Sequence, residues 1–175
     1  MFTAPPEIEA SVFARIPDKF HKSESSSVWV TAQRGGQPTP CFLEGPSFDR
    51  AGNLFVTDVP WGRIFRITPE GEVSLVFEYD GEPNGLKYHR DGRIFIADFR
   101  RGIMILDLKS QKIEPIADRL GVEHFKGVND LIFASNGDIY FTDQGHSGLS
   151  DPSGRVYRLL ASGPLEIVLE NIPSP

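Results

Sequence analysis

Cysteine occurs once in these 175 residues, at Cys41, so no internal disulfide framework can hold the fold. That scarcity suits a reducing compartment, and a cytoplasmic setting is the expectation. A basic stripe is also missing. The net charge is −6, with 24 acidic against 18 basic side chains, which disfavours nucleic acid as a partner. No apolar run approaches the length of a membrane span, and the first residues show neither a charged leader nor an apolar core, so no membrane association or secretion signal is expected. No glycine-rich phosphate cradle and no amphipathic helix of useful length stand out. What the chain does have is 17 Gly, 14 Pro and 13 Phe in a composition that is 39% hydrophobic. Such a chain has many turns and enough apolar surface for a core.

Its dominant feature is a sentence written three times. Glu44–Asp58, Asn84–Asp98 and Asn129–Asp143 align without a gap, each with a central glycine and a closing aspartate. The central glycines Gly52, Gly92 and Gly137 are spaced 92−52 = 40 and 137−92 = 45 residues apart, and the leading and closing residues keep the same steps. A repeat of this period predicts stacked or radial units. Within each unit the pattern is a short apolar run, a glycine turn, and a β-rich run such as Leu54-Phe55-Val56-Thr57 or Ile139-Tyr140-Phe141-Thr142. A third strand follows (Arg63–Ile67, Ile103–Leu106, Arg155–Leu159) and then a fourth (Val73–Phe77, Lys112–Ile116, Leu165–Leu169). Asp91-Gly92 and Asn136-Gly137 are strong hairpin turns.

Four antiparallel strands per unit predict an all-β protein built as a β-propeller, with three blades at about 44–81, 82–127 and 128–175. Residues 1–40 do not fit the period. Val12–Ile16 and Ser27–Thr31 read as strands, one of which is expected to complete the last blade of a closed ring; Ser23–Ser26 and Arg34–Pro40 read as loops. Three blades leave two apolar faces uncovered, so the expectation is a half-propeller of a six-bladed ring. The chain is then expected to be a fragment, one piece of a cleaved or split enzyme completed by a second polypeptide, or one of two copies that pair into the ring.

The leading position of each repeat carries an oxygen donor: Glu44, Asn84 and Asn129. In radial repeats equivalent positions share one axis, and a carboxylate with amide carbonyls is a hard-oxygen set suited to Ca²⁺, Mg²⁺ or Mn²⁺. Glu44 is expected to face a crowded axis, where a carboxylate without a cation or donor would be costly. The closing Asp58, Asp98 and Asp143 are invariant across the repeats and are expected to hold turn amides instead. Gly154 lies 154−102 = 52 residues after Gly102, seven beyond the repeat step, so the loop before it is extended; His146 on that loop is a candidate substrate contact. His89-Arg90-Asp91 is turn sequence, Gly145-His146-Ser147-Gly148 lacks the spacing of a nucleophile elbow, and His21 and His124 read as structural or solvated.

Leu43-Glu44-Gly45-Pro46, Pro83-Asn84-Gly85-Leu86, Val128-Asn129-Asp130-Leu131 and Ile139-Tyr140-Phe141-Thr142-Asp143, in this order and spacing, resemble the gluconolactonase/senescence marker protein/luciferin-regenerating family. The resemblance covers about residues 40–175. It implies a six-bladed propeller with an axial divalent cation and, for many members, hydrolysis of lactones. It assigns Glu44 and Asn129 to the metal and places Asn84 where it meets metal-bound water or substrate. Ca²⁺ is the leading cofactor, with Mg²⁺, Mn²⁺ or Zn²⁺ as alternatives. The family's further metal residues, and the aspartate that serves as general base, would fall after Pro175, so no catalytic residue is assigned within this sequence. Some members carry an arginine for substrate hydroxyls where this chain has Gly127, which puts sugar lactones in question. The expected activity is metal-dependent hydrolysis of a small lactone or ester. The competing readings are a non-enzymatic binding propeller with a structural ion, and a phosphotriesterase-like or strictosidine-synthase-like propeller.

Overall fold

The computed structural model describes residues 5–22 and 27–175. Strands β1 (Leu43–Phe48), β2 (Leu54–Asp58), β3 (Arg63–Ile67) and β4 (Val73–Glu78) form the first antiparallel sheet in sequence order. The second contains β5 (Pro83–Tyr88), β6 (Ile94–Asp98), β7 (Gly102–Asp107) and β8 (Lys112–Ala117). After a small hairpin of β9 (Arg119–Leu120) and β10 (Glu123–His124), the third contains β11 (Val128–Phe133), β12 (Ile139–Asp143), β13 (Gly154–Leu159) and β14 (Leu165–Ile172). These are three propeller blades. Their first strands are innermost: β1 lies against β5, and β5 against β11.

Period-2 alternation decides what each blade buries. Phe55 and Ile64 face the second blade and pack with Leu86, Ile96, Met104 and Leu106. Phe95, Ala97 and Ile103 turn the other way and meet Val128, Leu131, Phe141 and Tyr157 of the third. The core is therefore two apolar seams between neighbouring sheets, not a centre within any one of them. Close approach of the innermost strands depends on two glycines. A Cβ on Gly45, whose φ is 55°, would lie 2.5 Å from the Asn84 carbonyl oxygen and the Leu86 nitrogen. A Cβ on Gly85 would lie 2.6 Å from the Asp130 Cα. No other residue allows that contact without moving backbone.

The remaining face of the first blade carries Val56, Phe65 and Ile67, and the N-terminal segment covers it with Ala14, Ile16 and Phe20. The Phe20 and Phe65 rings are 5.2 Å apart. This segment is not the expected strand: Val12–Ile16 has no regular structure, and a short 3₁₀ turn spans Asp18–Phe20. The second expectation, a strand over Ser27–Thr31, meets an α-helix, α1 (Val28–Arg34). Local capping outweighs the β preference of Val-Trp-Val-Thr: the Ser27 hydroxyl accepts from the Val30 amide at 3.1 Å, and Gly35 closes the helix in the left-handed conformation. The Trp29 ring then packs on Phe42 at 4.9 Å, which holds a helix too short to persist alone. The loop expected at Ser23–Ser26 lies outside the described residues. No described helix is long and apolar enough to cross a membrane.

Candidate functional site

The three leading residues occupy equivalent places in the strands. Glu44 pairs with Thr57, and its neighbour Leu43 with Asp58; Pro83 pairs with Asp98 and Val128 with Asp143, one residue before Asn84 and Asn129. The register of each innermost strand breaks immediately afterwards, between Glu44 and Ser47, Pro83 and Gly85, and Val128 and Leu131. A bulge re-aims side chains, so the same irregularity marks all three positions. The close approaches of Gly45 to Asn84 and of Gly85 to Asn129 set these backbones side by side. Thr57 adds a link, its hydroxyl donating to the Asn84 carbonyl at 2.7 Å.

Each closing aspartate is buried and spent on structure. Asp58 Oδ1 accepts from the Phe42 amide at 2.7 Å, Asp98 Oδ2 from the Glu82 amide at 3.0 Å, and Asp143 Oδ1 from the Gly127 amide at 2.7 Å. Phe42, Glu82 and Gly127 each stand two residues before a leading position, so one carboxylate in every blade latches the start of the innermost strand to the end of the second. The other oxygens are also taken. Asp98 accepts from the Tyr79 hydroxyl at 2.7 Å and from the Arg100 and Arg101 amides at 2.9 Å each. Burial, then the Asp98 charge, pushes the Tyr79 hydroxyl well above its ordinary range. Asp58 pairs with the buried guanidinium of Arg63. Burial raises the Asp58 carboxyl above its ordinary value, against the pull of the Phe42 amide and the Arg63 charge.

The leading side chains are different. Among the described residues, Glu44, Asn84 and Asn129 make no side-chain hydrogen bond or ion pair. Glu44 is exposed, and Asn84 and Asn129 are half-buried. The burial expected of Glu44 is thus absent, because the other two blades lie on one side of its strand and leave β1 open on the other. Among the described residues no group of three or more His, Cys, Asp or Glu side chains could hold a metal ion. The candidate set brings one carboxylate and two carboxamides, which fits a hard cation in donor type and leaves most of the coordination number to be filled.

His146 is exposed on the extended loop, with its ring 5.8 Å from that of Phe99. The loop is tied to the third leading position through backbone: the Gln144 and Gly145 amides both donate to the Gly127 carbonyl at 3.1 Å. Phe99 fills the space beside Gly127, where a Cβ would come within 2.4 Å of its ring. Burial, then the adjacent Asp58, pushes the Cys41 thiol up to about 11, which disfavours the thiolate. Three further residues near the site were not among the candidates. They are Thr57, Arg63, and Asp130, which stands where the other blades have Gly45 and Gly85. Asp130 is occupied: its Oδ1 accepts from Lys87 Nζ at 3.1 Å and from the Leu131 amide at 2.8 Å.

Radial four-stranded blades with aligned, bulged innermost strands define a β-propeller. Residues 42–175 match the SMP-30/Gluconolactonase/LRE-like family, and the chain belongs to it. Lactonase drp35 of Staphylococcus aureus (strain MRSA252) is 39% identical over 123 residues, which is 66% of this chain and 37% of that protein. Lactonase drp35 of Staphylococcus epidermidis (strain RP62A) is 40% identical over the same length. The matched stretch thus spans little more than a third of these curated relatives. Among solved structures, a gluconolactonase from Xanthomonas campestris superposes with a TM-score of 0.66 at 24% identity, covering 74% of this chain and 48% of that one. Regucalcin from Agrobacterium tumefaciens, described as a calcium-binding protein, gives 0.59 at 16% identity, covering 75% and 44%. At these identities the structural likeness is one of fold.

Proposed function

We propose that the chain supplies the N-terminal three blades of a metal-dependent lactonase. The observation that carries this reading is the division of labour among the rim oxygens: the repeated aspartates are consumed by latches, whereas Glu44, Asn84 and Asn129, side by side in backbone, make no side-chain hydrogen bond among the described residues. Glu44 and Asn129 would hold a divalent cation, with Ca²⁺ preferred by their hard oxygens. Bound there, the cation supplies Lewis acidity toward a lactone carbonyl and a lowered pKa for an attacking water. Asn84 orients water or substrate through its carboxamide, which can both donate and accept. His146 meets the substrate from the rim, backed by Phe99. The general base and the remaining metal ligands come from residues outside these three blades. The names of the curated relatives support the lactone substrate, and the axial arrangement supports the metal.

Calcium titration by calorimetry tests the assignment. One carboxylate makes a weak site, in the range of about 10⁻⁴–10⁻³ M found for extracellular calcium modules. Glu44→Gln removes the only charge and is expected to weaken binding at least tenfold, worth about 1.4 kcal/mol. In the assembled enzyme the same change should abolish metal-dependent turnover of a lactone panel. Equal calcium affinity in the two proteins refutes the assignment.

A further inference from the structure

The latch of the first blade is built unlike the other two. Asp98 and Asp143 are satisfied by amides and, for Asp98, a tyrosine hydroxyl. Asp58 receives a single amide, and the rest of its demand is met by Arg63, which is only 2% exposed. Arg155, the residue paired with the third latch aspartate, turns away to Glu123 at 2.9 Å. Burying a guanidinium is expensive unless its donors are all engaged. Here they are. Nε and Nη2 donate to Asp58 Oδ2, Nη1 donates to the Phe20 carbonyl at 2.6 Å, and Nη2 also lies 3.6 Å from Cys41 Sγ. The Phe65 ring packs against the guanidinium at 5.1 Å.

Arg63 thus touches three segments at once. They are the N-terminal segment at Phe20, the residue Cys41 just before β1, and the aspartate whose other oxygen holds the Phe42 amide. Lys22 reinforces the same corner, bonding Glu78 at 2.8 Å through its side chain and the Pro40 carbonyl at 3.2 Å through its amide. Glu44 is two residues beyond Phe42, and its side chain makes no hydrogen bond or ion pair among the described residues. Its position is set by its own pairing with Thr57 and by the backbone at residues 41–43. In the second blade the equivalent stretch follows the preceding sheet, and in the third it follows the β9–β10 hairpin. In the first blade it follows the helix and the loop after it; the Asp58 carboxylate and the Val59 amide hold Phe42 to the end of β2, and the guanidinium in turn holds Asp58.

We infer that Arg63, with the N-terminal segment that it anchors, is a positioning residue for Glu44. A planar fork suits this role because it reaches Asp58 and the Phe20 carbonyl at once, which an ammonium cannot. The inference rests on the reading of Glu44 as a metal ligand, and its test separates the two. In the 175-residue chain, Arg63→Met removes every donor while keeping an apolar stem over Phe65, and Arg63→Lys keeps the charge without the fork. Hydrogen exchange read by mass spectrometry should accelerate at least tenfold over residues 41–46 in Arg63→Met and by less in Arg63→Lys. The segments of β5–β6 and β11–β12 should stay at wild-type rates. Calcium affinity should fall in the same order, at least fivefold for Arg63→Met. Unchanged exchange over residues 41–46, or equal acceleration in all three blades, overturns the inference. Should Arg63→Met not fold, Arg63→Lys decides by the same criteria. Should the wild-type chain bind no calcium, the metal reading fails, while the exchange experiment still decides whether Arg63 places Glu44.

Discussion

Replacing Asp98 asks how much one latch contributes. Its carboxylate is fully buried and accepts four bonds: the Tyr79 hydroxyl at 2.7 Å, the Glu82 amide at 3.0 Å, and the Arg100 and Arg101 amides at 2.9 Å each. Hydrogen bonds to a charged acceptor contribute about 1.5–3 kcal/mol each, and a buried donor left alone costs about 1–3 kcal/mol. The four are not additive, because they share one acceptor group and water can reach the Arg100 and Arg101 turn. Asp98→Ala should therefore cost about 3–5 kcal/mol, the range for breaking a buried charged network. Asp98→Asn keeps one oxygen for the turn amides and presents an NH₂ to Tyr79, whose hydroxyl can rotate to accept it. Only the Glu82 amide then faces a donor, so the cost should be about 1–3 kcal/mol. Urea denaturation followed by fluorescence reads both values from the midpoint and slope. The order Ala worse than Asn worse than wild type is the signature of a shared acceptor. Both variants falling within about 0.5 kcal/mol of wild type, the spread of ordinary surface changes, would refute the latch.

Two further outcomes are expected. Gly85→Ala places a methyl within 2.6 Å of the Asp130 Cα, so the second and third innermost strands must separate; the loss should be about 1–3 kcal/mol or more, as in overpacked cores, and should appear as a lowered urea midpoint with accelerated exchange in β11. Acid should weaken the third blade through Asp138, whose carboxyl is held below its ordinary value of 3.8 by the Ala161 amide, then by Arg158 and Asn136. A depressed folded-state value means that this stabilisation is present above 3.8 and lost as pH falls below it. Asp138→Asn should flatten the stability–pH curve in that window, and an unchanged curve counts against the assignment.

The fold was legible wherever residues repeat. The glycine turns, the apolar alternation and the closing aspartates carry the blades because each unit solves the same packing problem. The latch role of the aspartates was legible for the same reason: an identical residue at a strand end has an identical job. What could not be read are the features that occur once. Ser27–Thr31 has β-type side chains, and only the serine cap, Gly35 and the docking of Trp29 on Phe42 make the segment a helix. The β9–β10 hairpin has strands of two residues, too short for any pattern. Arg63 sits in a strand where an arginine ordinarily reaches water, and its burial depends on a carbonyl 43 residues away. Asp130 did leave a trace, as the one break in the glycine column of Gly45 and Gly85. In the site itself, backbone adjacency of the leading positions followed from the period. The openness of Glu44 did not, because it depends on what flanks β1 and not on β1 itself.

The two flanks of the blade array have different characters. The first blade wears Ala14, Ile16 and Phe20 over its apolar residues, whereas on the far side of the third blade Ile132 and Leu169, paired with Tyr140 and Val156, are 62% and 54% exposed. The outer flank of the third blade thus keeps apolar side chains in water, and self-pairing through it would be face to face.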